Sequence, residues 1–278
     1  MEDVEITDNV AFSDQIRGGA GGGARIVKGN VKMSRVVFRN NSAIIGGAVV
    51  FQSDCRVNIT SCSFIDNTAQ LNGGAFSADG QSANIFVTST LLESNNAFEG
   101  EGGGMYLAGT SEVTMTKVNV RACFAGSNGG GASVRGESSL ILENDVNIRE
   151  CKATRGKGGG LLAAGDKVIV KGDISVEKNM ARFGGGVCSM SRISLEGHFT
   201  SLLQDNVASK DGGGIFSFSS YAELIVGSAH RLVIRNNNAE NDGGGICLKQ
   251  GSQFSVESPE CSSSCANEMR GNGLCDHG

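Results

Sequence analysis

The chain has 278 residues, 42 of them Gly and one Pro, with 39% hydrophobic residues, 19% charged residues and a net charge of −5. Gly at about double its ordinary share of roughly 7%, with almost no Pro, excludes collagen and a Pro-rich linker, and the apolar content excludes a disordered acidic chain. Acids and bases are interspersed without a run of Lys or Arg, which argues against a nucleic-acid partner. The longest apolar stretch, residues 43–51, is broken by Gly46 and Gly47 and falls well short of the roughly 20 residues that insert across a bilayer.

The opening, MEDVEITDNV, lacks the basic and apolar regions of a secretory signal, so any export signal is expected outside this segment, read as part of a longer protein. One unit then recurs along the chain. A small-residue triplet ends at residues 23, 48, 75, 104, 131, 160, 186, 214 and 245, spaced 25 to 31 apart, and is Gly-Gly-Gly in all but two copies, 46–48 and 73–75, which are Gly-Gly-Ala. Ahead of each triplet stands an apolar residue with Asn three places later. The copies are an imperfect Phe12 with Gln15, then Phe38 with Asn41, Phe64 with Asn67, Leu92 with Asn95, Val176 with Asn179, Leu203 with Asn206 and Ile234 with Asn237. Cys replaces Asn twice, in Val120 with Cys123 and Ile148 with Cys151.

Stretches such as Val57-Asn58-Ile59-Thr60 and Val113-Thr114-Met115-Thr116 alternate apolar and polar residues, the period of strands. Units of this size with several short strands and no helical pattern cannot bury their apolar faces alone and must stack. The expected fold is all-β, a right-handed parallel β-helix (solenoid) of about nine coils over 1–257, with a Cys-rich tail over 258–278. At about 4.8 Å per level the rod is roughly 43 Å long. The triplet supplies positive φ and room where backbones crowd. The ladder residues Asn41, Asn67, Asn95, Cys123, Cys151, Asn179, Asn206 and Asn237 occupy one inward corner, where side-chain amides can bond the levels above and below and fix register. Most of the 13 Phe are expected at inward strand positions.

At FRNN (38–41) with GGAV (46–49) and FIDN (64–67) with GGAF (73–76), the chain resembles the polymorphic outer membrane protein repeat of chlamydial surface proteins. That family pairs FxxN with GGA followed by Ile, Leu or Val. The resemblance covers roughly residues 10–250 and implies a right-handed β-helix at the cell surface, adhesion, and no catalytic residues. The chain departs from the pattern in its Gly-rich triplets, its two Cys rungs and the lack of a C-terminal β-barrel translocator. The tail, Cys261-x3-Cys265 followed by Gly271-Asn272-Gly273-Leu274-Cys275-Asp276, resembles the opening half of a Lin-12/Notch repeat, an extracellular disulfide and calcium module. That resemblance places Asp276 in a calcium site, but one carboxylate does not supply the roughly six to eight oxygens calcium takes; no other cofactor is expected.

Nine Cys are an odd count, so at least one thiol is free or pairs outside the segment. Cys123 and Cys151, in one slot on adjacent levels, fit either a disulfide or two reduced apolar fillers, the second favoured because in-register side chains run parallel. Cys188 and Cys247 share a slot two levels apart, too far to bond. Cys55 and Cys62 fall in one coil, with their pairing open. Cys261, Cys265 and Cys275 are the best disulfide candidates; zinc is disfavoured, since only His277 could be a fourth ligand. Two glycosylation sequons start at Asn40 and Asn58, and Asn58, outward in a strand, is the better acceptor.

Many parallel β-helices modify polysaccharides, which requires clustered carboxylates. The residues before the triplets change sign along the chain, from Glu99 and Glu101 to Lys157, then Lys210 and Asp211, then Asp242, and show no aligned carboxylates; His198, His230 and His277 read as structural or solvated. With no Trp and two Tyr, an aromatic sugar-binding groove is not expected. Gly156-Lys157-Gly158 reads as turn geometry rather than a phosphate loop. The chain is therefore expected to be an extracellular or cell-surface structural and adhesive module meeting a protein or glycan partner. The alternatives are a polysaccharide-modifying enzyme with its site in loops 96–102 or 207–212, and a subunit that self-associates end to end.

Overall fold

The computed structural model describes residues 1–12, 19–80 and 82–257. Among these there is no helix, and so none long and apolar enough to cross a membrane. The strands pair in parallel and stack as a β-solenoid with three sheets. One nine-stranded sheet carries the apolar residue of each repeat, from Glu5–Thr7 and Val37–Arg39 to Arg231–Arg235. A second nine-stranded sheet is built of short strands just after the Asn, from Val10–Ala11 to Asn238–Ala239. Nine strands in each make nine levels. The third sheet, the wide one, has 16 strands. Its first two passes, Ala24–Ser34 and Val49–Thr60, run straight through; from the next pass on, a turn divides it into a strand after the triplet and one before the apolar-x-x-Asn unit, as in Phe76–Gly80 and Asn84–Thr88.

Alternation decides which side chains enter the core. Val57 and Ile59, Ile85 and Val87, Val113 and Met115, and Val168 and Val170 are buried in register, while the residues between them face solvent. The early levels are filled by aromatic rings: Phe38 stacks on Phe64 at 5.0 Å, and Phe76 meets Phe51 and Phe64 at 5.9 Å. The later levels hold Val, Ile and Leu and leave an apolar cavity of about 40 Å³ among Leu142, Val170, Ile174, Val187 and Leu203.

Two corners need special backbone. The first Gly of every triplet has φ between +60° and +71°. The middle Gly has no room for a Cβ: one built on Gly47 would lie 2.2 Å from Gly74 O, and one on Gly74 would lie 2.2 Å from Gly103 O. The third position is roomier, and Ala48 and Ala75 are fully buried there. The residue before each ladder position is also left-handed, at φ +52° to +57° from Asp8 and Asn40 through Ala122, Glu150 and Lys178 to Asn236. Asn and Asp take this conformation readily.

Two expectations are corrected. The opening copy of the repeat is Ile6 with Asn9, not Phe12 with Gln15. Ile6 pairs with Phe38 and Asn9 bonds Asn41, whereas Phe12 is 61% exposed and Gln15 lies outside the described residues. The Phe residues are also less inward than expected. Only Phe38, Phe51, Phe64 and Phe76 are fully buried in the interior; Phe216 is buried on the outer side of the wide sheet, and Phe12, Phe86 and Phe98 are exposed. The tail over 258–278, with Cys261, Cys265, Cys275, Asp276 and His277, lies outside the described residues.

Candidate functional surface

The corner after each apolar residue holds an amide ladder. Asn67 accepts on Oδ1 from both the backbone N–H and the Nδ2 of Asn41, each at 3.0 Å. Its own N–H and Nδ2 donate to Asn95 Oδ1 at 3.0 Å, and Nδ2 also reaches Phe38 O. The pattern recurs from Asn179 to Asn206 to Asn237, with Nδ2 donating to Ile148 O, Val176 O and Leu203 O. Two residues beyond each rung from Asn41 to Asn206 is an inward Ala, at 43, 69, 97, 125, 153, 181 and 208, 3% exposed or less. This Ala column was not identified from the sequence, although an Ala two places after every Asn or Cys rung was there to be seen.

Cys123 and Cys151 interrupt the ladder as separate buried thiols. Cys123 Sγ lies 3.7 Å from Leu92 O and Cys151 Sγ 3.8 Å from Val120 O, the carbonyls that an Asn amide would take. Cys151 N–H still donates to Asn179 Oδ1. Burial raises the Cys151 thiol well above its ordinary range, the state of an unreactive filler. Cys188 and Cys247 are separated in register by Phe216, and burial pushes Cys188 up to about 12. No bridge joins Cys55 and Cys62. The strand Val49–Thr60 runs on past Cys55, and at about 3.3 Å per residue its end lies beyond the span of a disulfide. Cys55 Sγ turns to Gln52 O and Cys62 Sγ to Thr60 O.

The two loops that the polysaccharide-modifying alternative requires, 96–102 and 207–212, carry ion pairs. Glu101 takes two bonds from Arg135 and one each from Ser133 and Asn128. Burial pushes its carboxyl up, but these donors and the Arg135 charge outweigh that and hold it below the usual carboxylate range. Asp211 and Asp242 do align on adjacent levels, contrary to expectation, and Lys249 Nζ bridges them at 3.0 and 3.3 Å. Lys157 lies over the Phe218 ring at 4.8 Å. Among the described residues, no three His, Cys, Asp or Glu side chains gather as a metal ion requires. Outward positions here are covered: Leu162, Cys188, Phe216 and Cys247 form a second buried cluster under Phe183, Met190 and Phe218.

His230 has a structural partner. Ser201 replaces an aliphatic residue in an inward column between Ile174 and Leu232, and its hydroxyl lies 2.8 Å from His230 Nε2. His230 Nδ1 faces Glu196 O at 3.3 Å; a carbonyl only accepts, so Nδ1 carries the proton and Nε2 accepts from Ser201. Burial lowers the imidazole's proton affinity, partly opposed by Glu196 O and Asp173. A His pKa depressed in the folded state stabilises above the unfolded value of about 6.5 and loses that contribution as pH falls toward the folded value. The urea midpoint is therefore expected to drop between about pH 7.5 and about 5.5, and His230→Gln should flatten that slope. An unchanged slope would assign the titration elsewhere.

The wide sheet presents a continuous outer face. Asn58, Phe86, Thr114, Ile141, Ile169, Ser194 and Ile225 are in register along it, all exposed or half-exposed. Asn58 thus stands in the open beside Phe86, and Asn40 is exposed at a corner.

These features define a repetitive parallel β-solenoid with an internal amide ladder and long solvent-facing sheets. Residues 61–79, which contain Phe64, Asn67 and the 73–75 triplet, match the Chlamydia polymorphic membrane protein (Chlamydia_PMP) repeat. Comparison with curated proteins and with solved structures gives no match.

Proposed function

We propose that this chain is an extracellular or cell-surface structural and adhesive module that binds a protein or glycan partner through its outer sheet faces. The observation that carries this reading is the in-register stripe of Phe86, Ile141, Ile169 and Ile225 on the wide sheet, interspersed with Thr114 and Ser194, apolar side chains left partly in solvent by a core that does not need them. The repeat match at 61–79 supports it, because that family is named for membrane proteins. Of the three carboxylates in the two candidate enzyme loops, Glu101 and Asp211 are neutralised by Arg135 and Lys249 and Glu99 stands by itself, which gives the enzyme reading no free acid and base pair.

Binding of the chain to cultured-cell and extracellular-matrix surfaces tests the reading. Saturable binding, with no release of glycan fragments, is expected; Phe86→Ser/Ile141→Ser/Ile169→Ser should weaken it by about a hundredfold or more, from the apolar contact each residue would bury. Absence of binding to every surface, or release of soluble sugar, would overturn it.

A further inference from the structure

The short-strand sheet gathers basic residues that the sequence keeps apart. Its outward column runs Phe124, Lys152, Met180, Val207 on successive levels. In the same turn as Lys152, a bulge between Ala153 and Lys157 throws out Arg155; the next levels add Arg182 and Lys210 one and two places after the Ala rung. Arg155 is held in place: its Nε donates to Gly126 O at 2.9 Å, and one terminal nitrogen reaches Glu99 O at 3.2 Å. Lys152, Arg155 and Arg182 are exposed, and Met180 is 44% exposed beside them. Among the described residues, none of these four cations has a carboxylate partner within ion-pair distance. Elsewhere Arg121 and Arg192 are paired with Glu93 and Glu223 on the neighbouring level, while other cations such as Arg56 and Lys117 stand singly; what sets this patch apart is that four cations fall on three adjacent levels of one sheet.

We propose that this patch binds a sulfated polysaccharide. The inference rests on the surface-module reading and names its partner class. The charge is concentrated on three levels, spanning roughly 10 Å from first to last at the usual strand spacing, and is bounded along the sheet by Glu99 on one side and Glu240 on the other. A chain whose net charge is −5 repels a uniformly charged polyphosphate that must run past those carboxylates, whereas a glycan with clustered sulfates places its charge over the patch and neutral sugars beyond it. Guanidinium groups suit the oxyanion by paired donation, and Met180 and Phe124 offer apolar contact to a sugar ring.

The test is retention on immobilised heparin and a binding isotherm in solution, with desulfated heparin and single-stranded DNA of equal charge as competitors. Retention that falls with salt, competition by heparin alone, and about a tenfold loss of affinity for each cation removed in Lys152→Gln/Arg182→Gln and Lys152→Gln/Lys210→Gln are expected. Neither double variant removes an ion pair, and unchanged circular dichroism confirms their fold. Arg56→Gln/Lys167→Gln, on the wide sheet, should retain wild-type affinity. Equal competition by DNA or by desulfated heparin, or equal losses from both pairs of sites, would overturn the proposal. A chain that ignores heparin but still binds matrix surfaces overturns this inference alone; one that binds no surface overturns the surface-module reading with it.

Discussion

Gly74→Ala is expected to lower stability by about 4 kcal/mol or more and to leave little soluble folded protein. A Cβ at Gly74 would stand 2.2 Å from Gly103 O, 2.4 Å from Asn96 N and 2.7 Å from Asn96 C. All three are backbone atoms of the next level, so relief requires moving the strand Asn96–Ala97 and the 102–104 triplet together. That would pull apart the parallel pairing of Thr68 with Asn96 and Ala69 with Ala97. The neighbouring control is Gly160→Ala. Its Cβ meets a single backbone atom, Gly186 O, at 2.8 Å and the Asn179 and Val176 side chains at 3.1 Å, and Ala48 and Ala75 already occupy the equivalent place. A loss of about 1–3 kcal/mol is expected there. Urea unfolding followed by circular dichroism checks both; equal midpoints for the two variants would mean that the triplet is not selected for close backbone approach.

The difference between those glycines shows what the sequence could disclose. Nine small triplets in phase with an apolar-x-x-Asn unit announce a coil that turns at one place on every level, and period two announces the strands. What the pattern does not order is the steric demand within a triplet, since the first Gly answers to its own φ and the second to an oxygen some 27 or 29 residues away, as in Gly47 with Gly74 and Gly74 with Gly103. Ile6 with Asn9 was missed for a similar reason. In the other copies the rung lies 7 to 9 residues before the triplet's end, but Asn9 lies 14 before Gly23, and Phe12 fell closer to the expected distance.

Surface features were the least legible. Glu101 meets Arg135 from 34 residues away, and Lys152, Arg182 and Lys210 become neighbours only because coil lengths of 26 and 28 residues between triplet ends 160, 186 and 214 bring them to one sheet. Interspersed charge in the chain therefore does not mean interspersed charge on the solenoid. The same holds for Phe: alternation sets which side a residue takes, but Phe86 shares a strand with Ile85 and Val87, and only the phase of that strand sends it outward.

Asn67→Ala is expected to lower stability by about 3–6 kcal/mol, because it strips partners from three groups at once. The backbone N–H of Asn41 and its Nδ2 both lose the Oδ1 they share, and Phe38 O loses its Nδ2 donor. Asn41, Asn67 and Phe38 are all at 0% exposure, so water does not replace these bonds, and each buried polar group left unpaired costs about 1–3 kcal/mol. Asn67→Cys separates this loss from simple loss of volume. In that slot a thiol approaches the preceding carbonyl as Cys123 approaches Leu92 O, so Asn67→Cys should unfold at a urea midpoint between Asn67→Ala and wild type. The converse change, Cys123→Asn, gives the Asn95 rung the same Oδ1 acceptor that Asn41 and Asn67 enjoy, and is expected to raise stability by about 1 kcal/mol. Gains at Cys123 and losses at Asn67 of these signs would show that amide bonding between levels holds the coils in register; an Asn67→Ala variant as stable as wild type would assign that role to the apolar core instead.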